Sequence, residues 1–84
     1  MQAERFRPEG EPFSVVYLDP PFKYTGKEKL ISLVEEHGLL AEGGICIIHH
    51  PSQEREWPEK IGSLSCIDLR SYGGSTLRFF RYGE

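Results

Sequence analysis

Two short apolar runs break an otherwise polar chain: Phe13 to Leu18, and residues 45–50, which read Ile-Cys-Ile-Ile-His-His. Each is rich in β-branched or aromatic side chains, the pattern of a strand covered on both faces, as in a parallel sheet. Asp19-Pro20-Pro21 stops the first run, since neither proline donates a ladder hydrogen bond, and Pro51 stops the second. Between them the period changes. Leu30, Ile31, Val34 and Leu33 form a stripe at helical spacing. Thr25 followed by Glu28 matches a capping box at the start of that helix. Gly38 is placed for the left-handed residue after its end, with Leu39 packing back onto the last turn. Ala41-Glu42-Gly43-Gly44 then turns the chain into the second strand. Strand, loop, helix, glycine turn, strand predicts a βαβ unit with a right-handed crossover and a parallel pair.

The remainder differs in kind. Residues 52–63 are polar around Trp57 and Pro58 and predict a short helix plus loop, with Trp57 covering one end of the sheet. Leu64–Tyr72 and Ser75–Tyr82 flank Gly73-Gly74, whose glycines suit the positive φ angles of a tight turn. An antiparallel hairpin therefore follows the parallel pair, with Leu77, Phe79 and Phe80 as its core. Residues 1–12, interrupted by Pro8, Gly10 and Pro12, read as a polar lead-in, which leaves 13–84 as a single domain.

Composition narrows the class. Eighty-four residues make at most one domain, and a chain of this size buries only roughly 60–65% of its unfolded surface, so its own stability is marginal. Five Phe, four Tyr and one Trp are too many aromatics for a disordered tail. No apolar run approaches the ~20 residues of a membrane span, and no signal-peptide core opens the sequence, so the expected location is cytoplasmic. A net charge of −3 weighs against tight nonspecific nucleic-acid binding, although Arg70, Arg78 and Arg81 gather near the C-terminus. Cys46 and Cys66 lack neighbours at metal-ligand spacing and read as free, reduced thiols, with no metal site expected.

The chemistry concentrates in Asp19-Pro20-Pro21-Phe22. The carboxyl ends of parallel strands form the crevice where α/β proteins bind ligands. Two prolines hold the loop stiff and extended, Asp19 adds a carboxylate acceptor, and Phe22 adds a flat apolar face. Such a loop accepts hydrogen bonds from an NH2 group while stacking on the ring that carries it, as an exocyclic amine of a nucleobase requires. Reaching that amine needs the base unpaired or flipped out. Asp19, Pro20, Pro21 and Phe22 are the candidate catalytic residues. Tyr24 is a candidate for lining the base pocket and Lys23 for meeting phosphate.

Residues 15–23 resemble the fourth motif of class I methyltransferases that act on amino nitrogens, an acidic or small polar residue followed by two prolines and an aromatic. The helix, the stretch from Gly38 to His50, and the closing Tyr72-Gly73-Gly74-Ser75-Thr76 and Phe79-Phe80-Arg81 resemble the C-terminal half of the small-subunit ribosomal RNA guanine-N2 (RsmD-like) methyltransferases. The resemblance spans nearly the whole chain from Phe13. It departs where His49 and Gly74 stand in place of acids.

That likeness implies an α/β fold: a partial Rossmann-like methyltransferase sheet, a parallel βαβ followed by an antiparallel hairpin, lacking the family's first three strands. It implies S-adenosylmethionine as cofactor, with Asp19 near the transferred methyl, and RNA, or less readily DNA, as substrate partner. The glycine-rich turn and the ribose-binding acid of the missing strands are absent from the sequence. The isolated chain is therefore expected neither to bind the cofactor usefully nor to turn over. The strand containing Val15 and Val16 would be an exposed apolar edge, which predicts self-association or pairing with a complementary N-terminal half. A second reading is a noncatalytic remnant serving as an oligomerising or RNA-binding module. Of the two histidines, one alternates inward as a structural residue, and His50 is the candidate for a role at the crevice.

Overall fold

The apolar runs pair as their composition predicts. β1 (Phe13–Leu18) lies parallel to β2 (Leu40–Pro51), with Val16 beside Cys46 and Leu18 beside Ile48. The computed structural model describes residues 12–21 and 25–83. Helix α1 (Lys27–Glu36) makes the crossover between them. β3 (Lys60–Ile61), β4 (Leu64–Tyr72) and β5 (Ser75–Tyr82) complete a five-stranded mixed sheet in the order β1-β2-β5-β4-β3. β5 enters between β2 and β4 and runs antiparallel to both, so among the described residues β1 stands at the sheet's edge.

One face of this sheet holds the core. Val16, Leu18, Cys46, Ile48, Leu64 and Phe80 are fully buried there against Leu30, Ile31 and Val34 of α1. The helical stripe thus packs as the spacing predicts. Its end also forms as expected: Gly38, at φ 62°, donates to the Glu35 carbonyl and Leu39 to the Val34 carbonyl, the paired bonds of a Schellman motif.

Five local expectations need correction. The helix start is not a Thr25–Glu28 capping box: the chain enters through Gly26 at φ 85°, a left-handed conformation, with no side-chain cap. The second strand begins at Leu40, so Ala41-Glu42-Gly43-Gly44 is a wide bulge inside β2 rather than a turn before it. Phe13 pairs with Leu40 and Val15 with Ile45, so β2 carries three extra residues there. Gly43 takes φ 80°, and a Cβ on Gly44 would lie 2.8 Å from the Ala41 carbonyl and 3.0 Å from the Ser14 carbonyl. No larger residue fits that close approach.

Residues 52–63 form no helix; a turn after β2 leads through irregular backbone into the two-residue β3. In the hairpin turn only Gly73 takes positive φ, at 59°. Finally, Phe80 alone of the expected hairpin core is fully buried. Leu77 and Phe79 alternate onto the face that α1 does not cover and stay partly exposed.

Candidate functional site

Asp19 follows β1 at the carboxyl end of the parallel pair, one position beyond the Leu18–Ile48 register. Parallel pairing therefore brings it beside His49. Asp19 Oδ1 accepts a hydrogen bond from His49 Nδ1 at 3.0 Å. An ionised carboxylate can only accept, so the proton of that bond sits on Nδ1. Asp19 remains about half exposed (47% of its side chain), open to a further donor. Burial first, and the Asp19 charge second, raise the Tyr17 hydroxyl above its usual value. Pro20 is buried and Pro21 exposed, so the first proline anchors the loop to the sheet. Phe22, Lys23 and Tyr24 lie outside the described residues.

His49 is the residue that sequence reasoning undervalued. Its contact with Asp19 was legible only through the parallel register, which sets residue 49 next to the residue after Leu18.

Of the two histidines, His50 is the inward-facing one, 1% exposed, and it is His49 rather than His50 that reaches Asp19 at the crevice. Its two nitrogens have opposite duties. Nδ1 donates to the Pro51 carbonyl at 2.8 Å, and Nε2 accepts from Arg78 Nε at 3.2 Å. An arginine cannot accept, so His50 must be neutral with its proton on Nδ1. Burial lowers its pKa, and so does the Arg78 charge. Trp57 stacks on the His50 ring with centroids 4.8 Å apart and carries the Arg78 guanidinium over its own ring at 5.2 Å. Trp57 therefore covers the carboxyl end of β2, as expected of it.

Two clefts flank this cluster. One, of about 470 Å³, lies between the start of α1 and the loop after β2, lined by Thr25, Gly26, Lys27, Glu54 and Trp57 among others. Lys27, buried to 4% exposure, bridges its walls by donating to Glu54 Oε2 at 2.8 Å. A second, of about 350 Å³, lies between that loop and the β4–β5 turn. No group of three His, Cys, Asp or Glu among the described residues could hold a metal ion.

The family model described as "Conserved hypothetical protein 95" matches residues 1–81. The chain belongs to this family. It is 34% identical over 61 residues to the Bacillus subtilis (strain 168) protein named "Putative rRNA methyltransferase YlbH". That match covers 73% of this chain but 33% of YlbH, so the chain spans about a third of its curated relative. Among solved structures, it resembles the Escherichia coli protein described as "Putative methyltransferase yhhF" at 25% identity and a TM-score of 0.71, covering 86% of this chain and 39% of that one. A conserved hypothetical protein of Streptococcus pyogenes shares the fold at a TM-score of 0.76 and 23% identity, over 87% of this chain and 44% of the other. The family expected from the motif and the fold expected from the resemblance are both met: a partial methyltransferase sheet, parallel in β1-β2 and antiparallel beyond.

Proposed function

We propose that these residues are the catalytic-loop half of an enzyme that methylates an exocyclic nucleobase amine, guanine N2 of small-subunit ribosomal RNA, with S-adenosylmethionine as donor. The observation that carries this reading is the Asp19 carboxylate, oriented by His49 at 3.0 Å and followed by two prolines at the carboxyl end of a parallel pair. An amine conjugated to a base ring is a poor nucleophile. Asp19 and the Pro20 carbonyl, accepting its two N–H bonds, favour a more tetrahedral nitrogen and offset the positive charge that grows as the N–C bond forms. The roles read from the sequence complete the proposal: Phe22 for stacking on the ring, Tyr24 for lining the base pocket and Lys23 for meeting phosphate. The name of YlbH supports RNA as the substrate class.

The donor supplies an electrophilic methyl. The described residues offer Asp19 beside it but no glycine-rich strand-to-helix turn and no second strand end with an acid for the ribose, so they do not fit the donor as a whole. In this reading these residues by themselves bind it poorly and act in the cytoplasm together with strands one to three, seated against β1. Calorimetry of the chain alone with S-adenosylhomocysteine is expected to show no binding, and micromolar affinity would overturn that assignment. Complemented with the N-terminal part of YlbH, the chain should transfer tritiated methyl to ribosomal RNA, and Asp19→Ala should abolish transfer. Unchanged transfer would remove Asp19 from the mechanism.

A second reading, a noncatalytic oligomerising or RNA-binding module, draws on one observation: β1 is an edge strand, with Val15 44% exposed. It predicts self-association of the chain alone and no transfer after complementation.

A further inference from the structure

The 350 Å³ cleft is built unlike its neighbour. Its wall combines Ser52, Ser71 and Thr76 with Arg55, Arg78, His50 and Glu54, between the loop after β2 and the β4–β5 turn. Ser52 Oγ and Ser71 Oγ each share a hydrogen bond with Thr76 Oγ1, at 2.8 and 3.0 Å. Three hydroxyls carry three protons, and two bonds among them consume two. The third O–H has no acceptor among the described residues and is available to a guest. The cleft mouth is fixed as well, because Ser52 N donates to the Gly74 carbonyl at 2.9 Å, tying the loop to the hairpin turn.

Arg78 is pre-organised from two sides. Its Nε is held by His50 and its guanidinium plane lies over Trp57, so its terminal nitrogens are the donors not engaged by those contacts. Immobilising the guanidinium before binding removes much of the entropy cost of a charge-assisted fork. The one acid in the wall, Glu54, is compensated by Lys27 at 2.8 Å. Hydroxyl donor, clamped arginine and exposed Arg55 together make an oxyanion site.

We propose that this cleft holds a phosphodiester of the RNA strand, with Arg78 as the principal donor and the Ser52–Thr76–Ser71 hydroxyl chain completing the shell. The site lies at the same end of the sheet as Asp19, since β1 and β2 are parallel and both end there. It would thus register the strand while the target base reaches the proline loop. The identity of the strand as RNA rests on the function proposed above; the oxyanion site itself does not.

The test uses the chain alone, without methyl donor, so its outcome is independent of catalysis. Heteronuclear NMR would follow the Arg78 Nε–Hε signal and the Ser71 and Thr76 amides during titration with inorganic phosphate, with a single-stranded RNA hexamer lacking terminal phosphates, and with guanosine. The proposal expects shifts with the hexamer, none with guanosine, and about tenfold weaker hexamer binding for Arg78→Lys, which keeps the charge but loses the fork. Ser71→Ala, at an exposed position, should weaken binding less and serves where the arginine variant alters the fold. Saturation by phosphate without any response to the hexamer would overturn the RNA assignment. Silence of all three reporters to both anions would overturn the site. If the hexamer binds at Arg78 but Asp19→Ala leaves methyl transfer intact in the complemented protein, the catalytic reading fails and this one stands.

Discussion

The two faces of the sheet are made from the same strands and meet different fates. Along β2, Cys46, Ile48 and His50 point toward α1 and are 0–1% exposed, while Ile45, Ile47 and His49 between them remain partly open. β5 repeats the contrast with Phe80 buried and Phe79 only partly so. Both parities are apolar because the sequence is written for a sheet with layers on both sides, and the described residues place a helix on one. The covered face carries stability; the open face carries the Asp19–His49 pair.

The sharpest way to break that contrast is chemical. Cys46 and Cys66 both sit opposite Phe80, on either side of β5. Two strand spacings separate them, about 9.6 Å, beyond the reach of a disulfide. Burial pushes the Cys46 thiol up to about 12. At mild alkaline pH, native Cys46 should react with a disulfide reagent roughly a thousandfold more slowly than after unfolding, as thiolate fraction dictates. Stopped-flow kinetics with Cys66→Ser measures this, and equal rates would mean the covered face opens readily.

Next in size is packing. Phe80→Ala should cost ~3–5 kcal/mol, enough to unfold much of so small a domain. Phe79→Ala on the open face should cost about 1 kcal/mol from partial burial. Urea titration separates them, and similar losses would mean the open face is covered in solution.

Much of this contrast was legible beforehand, and its limits are physical. Unbroken apolar runs announced β1 and β2, and the Leu30–Val34 stripe announced α1, because periodicity follows from burial. The bulge at Gly43-Gly44 was misread as a turn, since glycine pairs mark either, and only strand register distinguishes them. Thr25 offered a plausible cap, but Gly26 took a conformation that bypasses it, with the next residue, Lys27, drawn inward to Glu54. Asp19 was legible as chemistry from its prolines. His49 was not, because a contact across 30 residues is written in pairing, not in local pattern.

The smallest effect is electrostatic. His50 is neutral in the fold and its pKa is lowered by burial, so the unfolded chain binds the proton more readily. Its contribution is fully present above the unfolded histidine value near 6.5 and is lost as pH falls from there toward the lower folded value. Replacing it, by His50→Gln, should flatten the acid limb of a stability-versus-pH curve in that window. An unchanged slope would show that Arg78 does not depend on the neutral ring.

The crossover also sets an order of events. The β4–β5 hairpin closes over a two-residue turn, whereas β1 reaches β2 only after the helix and both loops between them are in place. Closure of longer loops is entropically slower. β1 is therefore expected to dock last and, with a neighbouring strand on one side only among the described residues, to detach first. The Asp19–His49 contact then exists only while the final strand is seated. Amide exchange should be fastest in β1 among the longer strands, and the candidate site would assemble at the end of folding rather than at its start.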